Sequence, residues 1–491
     1  MRQAEDRGKT LDRQQIDEFL ALRSQQKMLA QGEQDRELTW HQGDWAARVE
    51  LNGKVSRVLT DYHYYGTGDI GGTPDEESVK RLEAIVTNGT ARFPAEADPL
   101  FPRLSHDQGA AVKVGDGPVH VISANAEQMF LDITPAEAAG LPRYTGEMEL
   151  TNHSAGSLTS QAYHKRWLRK EELLADAAEK ASIAAEWLGA RPYPLERLND
   201  AWTLVMGGHF HDLAAGTATP KSYEFAWNDD VIAMNQFAGV LTNATEGVSS
   251  ALDTQTNGIP IVVFNPLNIA REDLVEATVN FPGGVPKSVR VTGPDGKEVP
   301  AQMSDGKVIF AAKLPSVGYA VFDVLPDAGT IGEGTLQVSQ SSLESAYYSV
   351  KLNSNGDVQS IFDKSIGREL LSAPVRLAIS FDNPEHWPAW NMDWDQEQAA
   401  PKEYVGAPAK IRVVEDGPAR VAVEVSREIA GSKFVQRIRL AAGDAGKRVE
   451  FANSVDWNTK ASNLKASFPL MASNETATYN WDCLLYTSRC V

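Results

Sequence analysis

The chain has 491 residues, room for about three domains at roughly 150 residues each, so it is not a mini-protein that needs covalent staples. Hydrophobic residues make up 42% and charged residues 23%, and Gly 38 with Pro 25 is ordinary turn content, which excludes a collagenous or disordered chain. Lys and Arg number 47 against 66 Asp and Glu, a net charge of −19, which repels phosphate backbones and anionic bilayers and excludes nucleic acid and membrane as partners.

No run of about 18 uncharged apolar residues suggests a spanning helix. The first thirty residues are charged and do not read as a signal peptide, which favours the cytoplasm over secretion. Spacing predicts a helix over 17–30 and a strand over 55–65, rich in β-formers. A loop of four glycines (Gly66, Gly68, Gly71, Gly72) follows. Thr73-Pro74-Asp75-Glu76 then reads as a capping box opening a helix to Val86. A short buried strand is expected over 119–122, with a helix capped by 123–125 running to Phe130. Strand, loop and helix in alternation mark an α/β region.

The character changes near residue 151. A long amphipathic helix is predicted over 158–188, with the stripe Ala162, Leu168, Leu173, Ala177, Ala181, Ala184 and Leu188 facing inward. Further helices are predicted over 194–206 and 226–252, and three in succession suggest a bundle. From Ile259 the pattern is β throughout, with 326–334 as the internal linker. The expected organisation is a multidomain chain that is α/β, then all-α, then all-β. Residues 1–150 are expected as the α/β part, which the family resemblance given below makes part of an α/β barrel, 151–257 as a three-helix bundle, 258–328 as a small β domain and 335–482 as a β-sandwich. Both cysteines, Cys483 and Cys490, lie in the last nine residues, which excludes a disulfide framework; the segment 483–491 reads as a non-native tail.

Three constellations carry chemistry. Gly66, Gly68 and Gly71 match the dinucleotide fingerprint G-x-G-x-x-G, but Asp69, Asp75, Glu76 and Glu77 would repel a pyrophosphate. The loop reads instead as a flexible active-site segment presenting the Asp69 carboxylate, or as a turn in which Asp69 bonds its own backbone. His209-Phe210-His211-Asp212 places two imidazoles at i and i+2 beside a carboxylate, a pattern that serves as metal ligands or as ordinary core and surface histidines. His386-Trp387-Pro388-Ala389-Trp390-Asn391-Met392-Asp393-Trp394 combines three indoles with polar groups, suited to stacking on a sugar face or to plugging a domain junction.

Taken in order, these pieces resemble glycoside hydrolase family 38, the retaining α-mannosidases. The resemblance rests on Tyr65-Gly66-Thr67-Gly68-Asp69, Arg143 to Leu150, Gly156-Ser157-Leu158-Thr159-Ser160-Gln161 with Lys165-Arg166, His209 to Asp212 with Gly216-Thr217, Val263-Phe264-Asn265-Pro266, and Val455-Asp456-Trp457. It implies a retaining α-mannosidase that releases mannose from α-mannosides or mannose-containing oligosaccharides, with one zinc ion. His211 would be a zinc ligand and Asp69 the acid/base carboxylate. Asp212, His209, Tyr65 and Trp390 would contact substrate. The family's His-x-Asp pair and nucleophile precede the glycine-rich loop, and neither is found here, so the chain is expected to lack the first part of the barrel and to be inactive and weak in zinc by itself. The competing class is a non-catalytic sugar-binding or scaffold protein that uses the tryptophan loop. Oligomeric state stays open.

Overall fold

A computed structural model of the chain describes residues 4–6, 9–11, 49, 52–62, 74, 76–88, 90–92, 111–113, 120–144, 154–327, 334–406 and 408–472. They fall into two compact units, Met1–Glu149 and Leu150–Val491. The expected helix over 17–30, the residues Thr73 and Asp75 of the capping box, and the tail 483–491 lie outside the described residues.

In the first unit, β1 (Ala4–Asp6) pairs antiparallel with β2 (Lys9–Leu11) and with β5 (Arg143–Tyr144), and β3 (Thr90–Arg92) pairs with β4 (Ala111–Lys113). The helices are α1 (Glu76–Asn88), α2 (Gln128–Asp132) and α3 (Pro135–Gly140). No parallel strand pair occurs among the described residues, and most of the segment on which the barrel expectation rests lies outside them. The strand expected over 55–65 is a correction: residues 52–56 are helical, closed by Arg57 N donating to Gly53 O at 2.9 Å. Arg57 then turns left-handed at φ 63°, and 58–62 pair with no strand. Side chains bond this stretch instead: Asn52 Nδ2 donates to Thr60 O at 2.9 Å and Val58 N donates to Ser56 Oγ at 3.2 Å. The Tyr62 hydroxyl donates to Asn125 O at 3.2 Å and accepts from Met129 N at 3.1 Å, docking the segment on the start of α2. Residues 120–122 of the buried strand expected over 119–122 also pair with no strand. A capping box occurs at a site the sequence reading passed over. Thr134 accepts from Glu137 N and Glu137 accepts from Thr134 N at 2.8 Å, with Pro135 at the first helical position.

In the second unit, α4 (Ala162–Trp187), α5 (Leu195–Gly208) and α7 (Pro220–Ala251) pack around Ala175, Ala178, Leu198, Ala201, Val205, Ala233, Phe237 and Val240. Alanines on α4 let the helices approach closely, and Phe237 fills the space they leave. Helix α4 starts later than predicted and α7 starts six residues earlier, because Thr219-Pro220 opens it. The predicted stripe on α4 is partly wrong: Leu173 and Leu188 are exposed. Leu168, Ala177 and Ala181 of the stripe are buried as expected, and the buried face also holds His164, Glu171, Ala175, Ala178, Ser182 and Ala185. It contains two ionisable groups.

The helices dock on the next domain where Ala181, Ala185, Ala244 and Val248 meet Phe264 and Tyr319, whose rings stack at 4.5 Å. Here β6 (Ile259–Asn265) pairs with the long β12 (Gly318–Asp327), which also pairs with β8 (Ser288–Thr292). This sheet faces β7 (Arg271–Ala277), β10 (Ala301–Ser304) and β11 (Lys307–Leu314) across a core of Val291, Phe310, Phe322 and Val324. Asn265 of the Asn-Pro motif is fully buried. Its amide donates to Ile269 O (2.8 Å) and Pro315 O (2.7 Å), and its oxygen accepts from Leu267 N (3.2 Å) and Arg271 Nε (3.1 Å), so the side chain is a scaffold with its hydrogen-bonding capacity used. The expected linker 326–334 is strand through Asp327.

The remaining strands form a five-stranded, a four-stranded and a three-stranded antiparallel sheet. The first two enclose a core of Leu343, Val350, Val421, Val423, Val425, Ile438 and Leu440. At the joint with the preceding domain, the buried Gln302 accepts from Ala419 N (3.0 Å) and Arg420 N (2.9 Å). No helix among the described residues is long and apolar enough to cross a membrane.

Candidate functional site

The histidine motif is the turn between α5 and α6 (His211–Ala215), a junction closed by Gly216. His209 N donates back to Val205 O at 3.0 Å, ending α5. Gly216 sits at φ +83°, and Thr217 N donates to Asp212 O at 2.9 Å. A Cβ at Gly216 would lie 2.3 Å from Ser160 O, so the motif glycine lets the turn rest against the 154–161 segment. On the other side of that segment, a Cβ at Gly156 would lie 2.3 Å from Asn391 O. Ser157 N donates to Trp390 O (3.3 Å), and the Ser160 hydroxyl donates to Ala389 O (2.7 Å). Three stretches far apart in sequence thus meet through backbone: 154–161, 208–217 and 387–391. Ser154 (φ 71°), Gln161 (φ 52°) and Trp387 (φ 46°) are left-handed non-glycine residues at this junction, a concentration typical of functional sites.

The side chains divide by partner. His209 Nε2 lies 3.1 Å from Glu172 Oε1, so this imidazole is tied back to α4. His211 is 81% exposed, with Nε2 3.1 Å from Asp212 Oδ2 and its ring 4.4 Å from that of Phe210. Asp212 Oδ1 accepts from the Thr217 hydroxyl at 2.6 Å. The Tyr223 hydroxyl donates to Asp212 O at 2.9 Å, and Lys165 Nζ donates to Ala214 O. Burial holds the Lys165 ammonium below its usual range. The structure therefore brings His211 and Asp212 together and directs His209 elsewhere. Trp390 is half-buried, with its carbonyl engaged, while Trp387 and Trp394 are each 54% exposed. Asp69 and Tyr65 lie outside the described residues.

A catalytic zinc takes three protein ligands and a structural one four. Among the described residues no three His, Cys, Asp or Glu side chains gather as such a group. The described residues by themselves do not fit a zinc centre.

The sequence reading missed the groups beneath the turn. His164 is fully buried, its Nδ1 2.9 Å from Asp230 Oδ2 and its Nε2 3.1 Å from Gly208 O. Glu171, two turns along α4, is also fully buried and has no hydrogen-bond partner for either oxygen. The signal was present: residues 164, 168 and 171 share one helical face, but only the leucine was read as core. Burial, reinforced by the Asp230 charge, pushes the Glu171 carboxyl up to about 8. The folded chain thus keeps a proton there that the unfolded chain releases near the ordinary carboxylate range. Stability falls as pH rises from about 5 to about 8, by about 1 kcal/mol per pH unit, and levels off above. Glu171→Gln removes that slope. Urea unfolding at pH 5.5 and pH 7.5 is expected to show the variant losing less stability than the parent chain, the remaining slope being that of His164; equal slopes would mean the carboxyl is already ionised.

Comparison with known proteins supplies the context. Residues 152–246 match the α-mannosidase middle domain, and residues 343–484 match the C-terminal domain of glycosyl hydrolase family 38. The chain is 23% identical over 454 residues to an α-mannosidase of Saccharomyces cerevisiae, covering 89% of this chain and 36% of that protein. It is 24% identical over 441 residues to α-mannosidase 2C1 of Homo sapiens, covering 88% and 37%. The chain therefore spans a little over a third of the length of the curated relatives it matches. A family 38 glycosyl hydrolase structure from Enterococcus faecalis superposes with a TM-score of 0.52 at 17% identity, over 71% of this chain and 49% of that one, a likeness of fold. The 154–161 segment and the histidine turn lie within the middle-domain match, and the tryptophan loop lies within the C-terminal match. The chain is α-mannosidase-like: residues 152–246 carry the likeness to the α-mannosidase middle domain and residues 343–484 the likeness to the C-terminal domain of glycosyl hydrolase family 38.

Proposed function

We propose that the chain supplies one wall of an α-mannoside pocket and that the complete machinery is a retaining α-mannosidase. The observation that carries this reading is the turn at 209–212, held by backbone and side-chain bonds so that the Asp212 carboxylate and the His211 ring stand together at the surface. Each Asp212 oxygen keeps a lone pair beyond its bonds to Thr217 and His211, suited to accepting from sugar hydroxyls. Thr217 fixes the carboxylate orientation in advance, so less freedom is lost when a sugar docks. Asp69 is proposed as the acid/base that protonates the departing glycosidic oxygen and then activates water. The nucleophile that the retaining reaction needs is not assigned to any residue of this chain. The zinc attached to His211 by the family resemblance needs donors beyond the described residues.

Isothermal titration with methyl α-mannoside tests the reading. Asp212→Asn is expected to weaken binding about tenfold or more, the loss appropriate to hydrogen bonds with a charged acceptor. The second reading, a non-catalytic sugar-binding module, is favoured by the exposed indoles of Trp387 and Trp394. It predicts binding that ignores both EDTA and Asp212→Asn and disappears with Trp387→Ala or Trp394→Ala.

A further inference from the structure

The His164 imidazole is bonded on both nitrogens to groups that only accept. Asp230 offers a carboxylate to Nδ1, and Gly208 offers a carbonyl to Nε2. A neutral ring has one N–H and would leave one of these contacts without a proton. The geometry therefore calls for the imidazolium, unusual for a ring with no solvent exposure.

We propose that His164 is a positioning residue: its imidazolium, neutralised by Asp230, clamps the Gly208 carbonyl and so fixes the turn that presents His211 and Asp212. The inference rests on the mannoside reading only for what the turn is for.

The groups around the ring account for the charge. From α4 come His164 and Glu171, with Lys165 and Glu172 beside them; from α7 come Asp230 and Tyr223; from the end of α5 comes the Gly208 carbonyl. Burial alone pulls the imidazole down, but the Asp230 bond, the Gly208 carbonyl and the Asp230 charge outweigh it, and the net direction is up. Glu171 holds its own proton at neutral pH, so the cluster carries one positive and one negative charge rather than an excess of carboxylate. The Gly208 carbonyl belongs to the last residue of α5, where helix carbonyls lack an intrahelical donor. His164 supplies that donor with a charge-assisted bond, stronger than a neutral one. Tyr223, its ring 6.0 Å from that of His164, holds the other side of the turn at Asp212 O. The turn is thus gripped at Gly208 by α4 and at Asp212 by α7. Loss of the proton removes the first grip.

Selective 15N-histidine labelling of the full chain, which has nine histidines, reads the charge directly. One ring is expected to keep both N–H groups at a pH where exposed histidines have become neutral, about 7.5–8. Backbone amides of Asp212–Gly216 are expected to shift with the same midpoint. Asp230→Asn is expected to lower that midpoint. His164→Gln keeps a donor for Gly208 without a charge, so the amides stay near their low-pH positions and stop titrating. His164→Phe displaces them at every pH. Two results overturn the proposal: nine rings that all become neutral over the range of exposed histidines, or Asp212–Gly216 amides that ignore the titration. The parent chain alone yields both observations, so a variant that fails to fold does not remove the test. None of these signals depends on sugar binding, so failure of the mannoside reading leaves them intact and is seen separately in the titration of Asp212→Asn.

Discussion

Arg420→Ala is expected to lower the stability of the joint between the two β domains by about 3–5 kcal/mol, the cost of leaving a buried carboxylate unpaired. Arg420 is almost fully buried and grips Glu415 with two parallel bonds, Nε to Oε2 at 2.5 Å and Nη2 to Oε1 at 2.7 Å. Its third nitrogen reaches across the joint to Glu276 Oε1 at 2.7 Å. The Arg420 bond is the main reason that the Glu276 carboxyl is held below its usual range. Removing the guanidinium strands Glu415 in the interior with only the Ser304 hydroxyl, 3.2 Å away, as a remaining donor. The paired replacement Arg420→Met with Glu415→Leu removes both charges and is expected to recover most of the loss, since a buried ion pair and an apolar pair of similar volume are often near parity. Differential scanning calorimetry of the three proteins decides it. A single variant that melts with the parent would show that water reaches Glu415 and that the joint is open.

Gly216→Val should have the second largest effect, about 3 kcal/mol, felt at the turn. The residue is at φ +83°, where a β-branched side chain pays the left-handed penalty of about 1–2 kcal/mol. In addition its Cβ would stand 2.3 Å from Ser160 O and 2.5 Å from Ser160 C, backbone atoms that cannot rotate away. Gly189→Ala is the control: φ is +68°, but no atom lies within 4 Å of the added carbon, so only the conformational part is paid. Hydrogen exchange of the Asp212–Ala218 amides reads the difference. Rapid exchange is expected in Gly216→Val and parent-like protection in Gly189→Ala; parent-like protection in both would mean that the two backbones do not touch.

The helices of the second unit were legible because each is long enough for the 3.6-residue period to repeat, and the misjudged start of α7 is set by Pro220 in its first turn. The strand expected over 55–65 failed for the opposite reason. Residues 58–62 carry propensity but no partner strand, and β-propensity is largely a statement about neighbours. Residues 52–56 close a helical turn instead, and the Tyr62 hydroxyl bonds to the start of α2. At the site, the motif residues were read as chemistry, yet several prove to be scaffold. Gly156 and Gly216 make room for backbone, Asn265 spends its bonds on a turn, and His209 is tied to Glu172. His164 and Glu171 went unremarked because a polar residue on a helix is assumed to face water until its neighbours are known.

The sequence by itself determined the order of α-rich and β-rich regions, the acidic character of the surface and the family resemblance, because these depend on composition, local periodicity and short motifs. Only the tertiary structure decided that residues 154–161, 208–217 and 387–391 meet, that Arg420 locks one β domain to the next, and that a His164–Asp230 pair and Glu171 are buried beneath the turn. Such contacts join residues as much as 237 positions apart, as between Ser154 and Asn391. No local pattern encodes them, since they are selected by backbone fit and by the cost of burying unpaired charge, both properties of the packed chain alone.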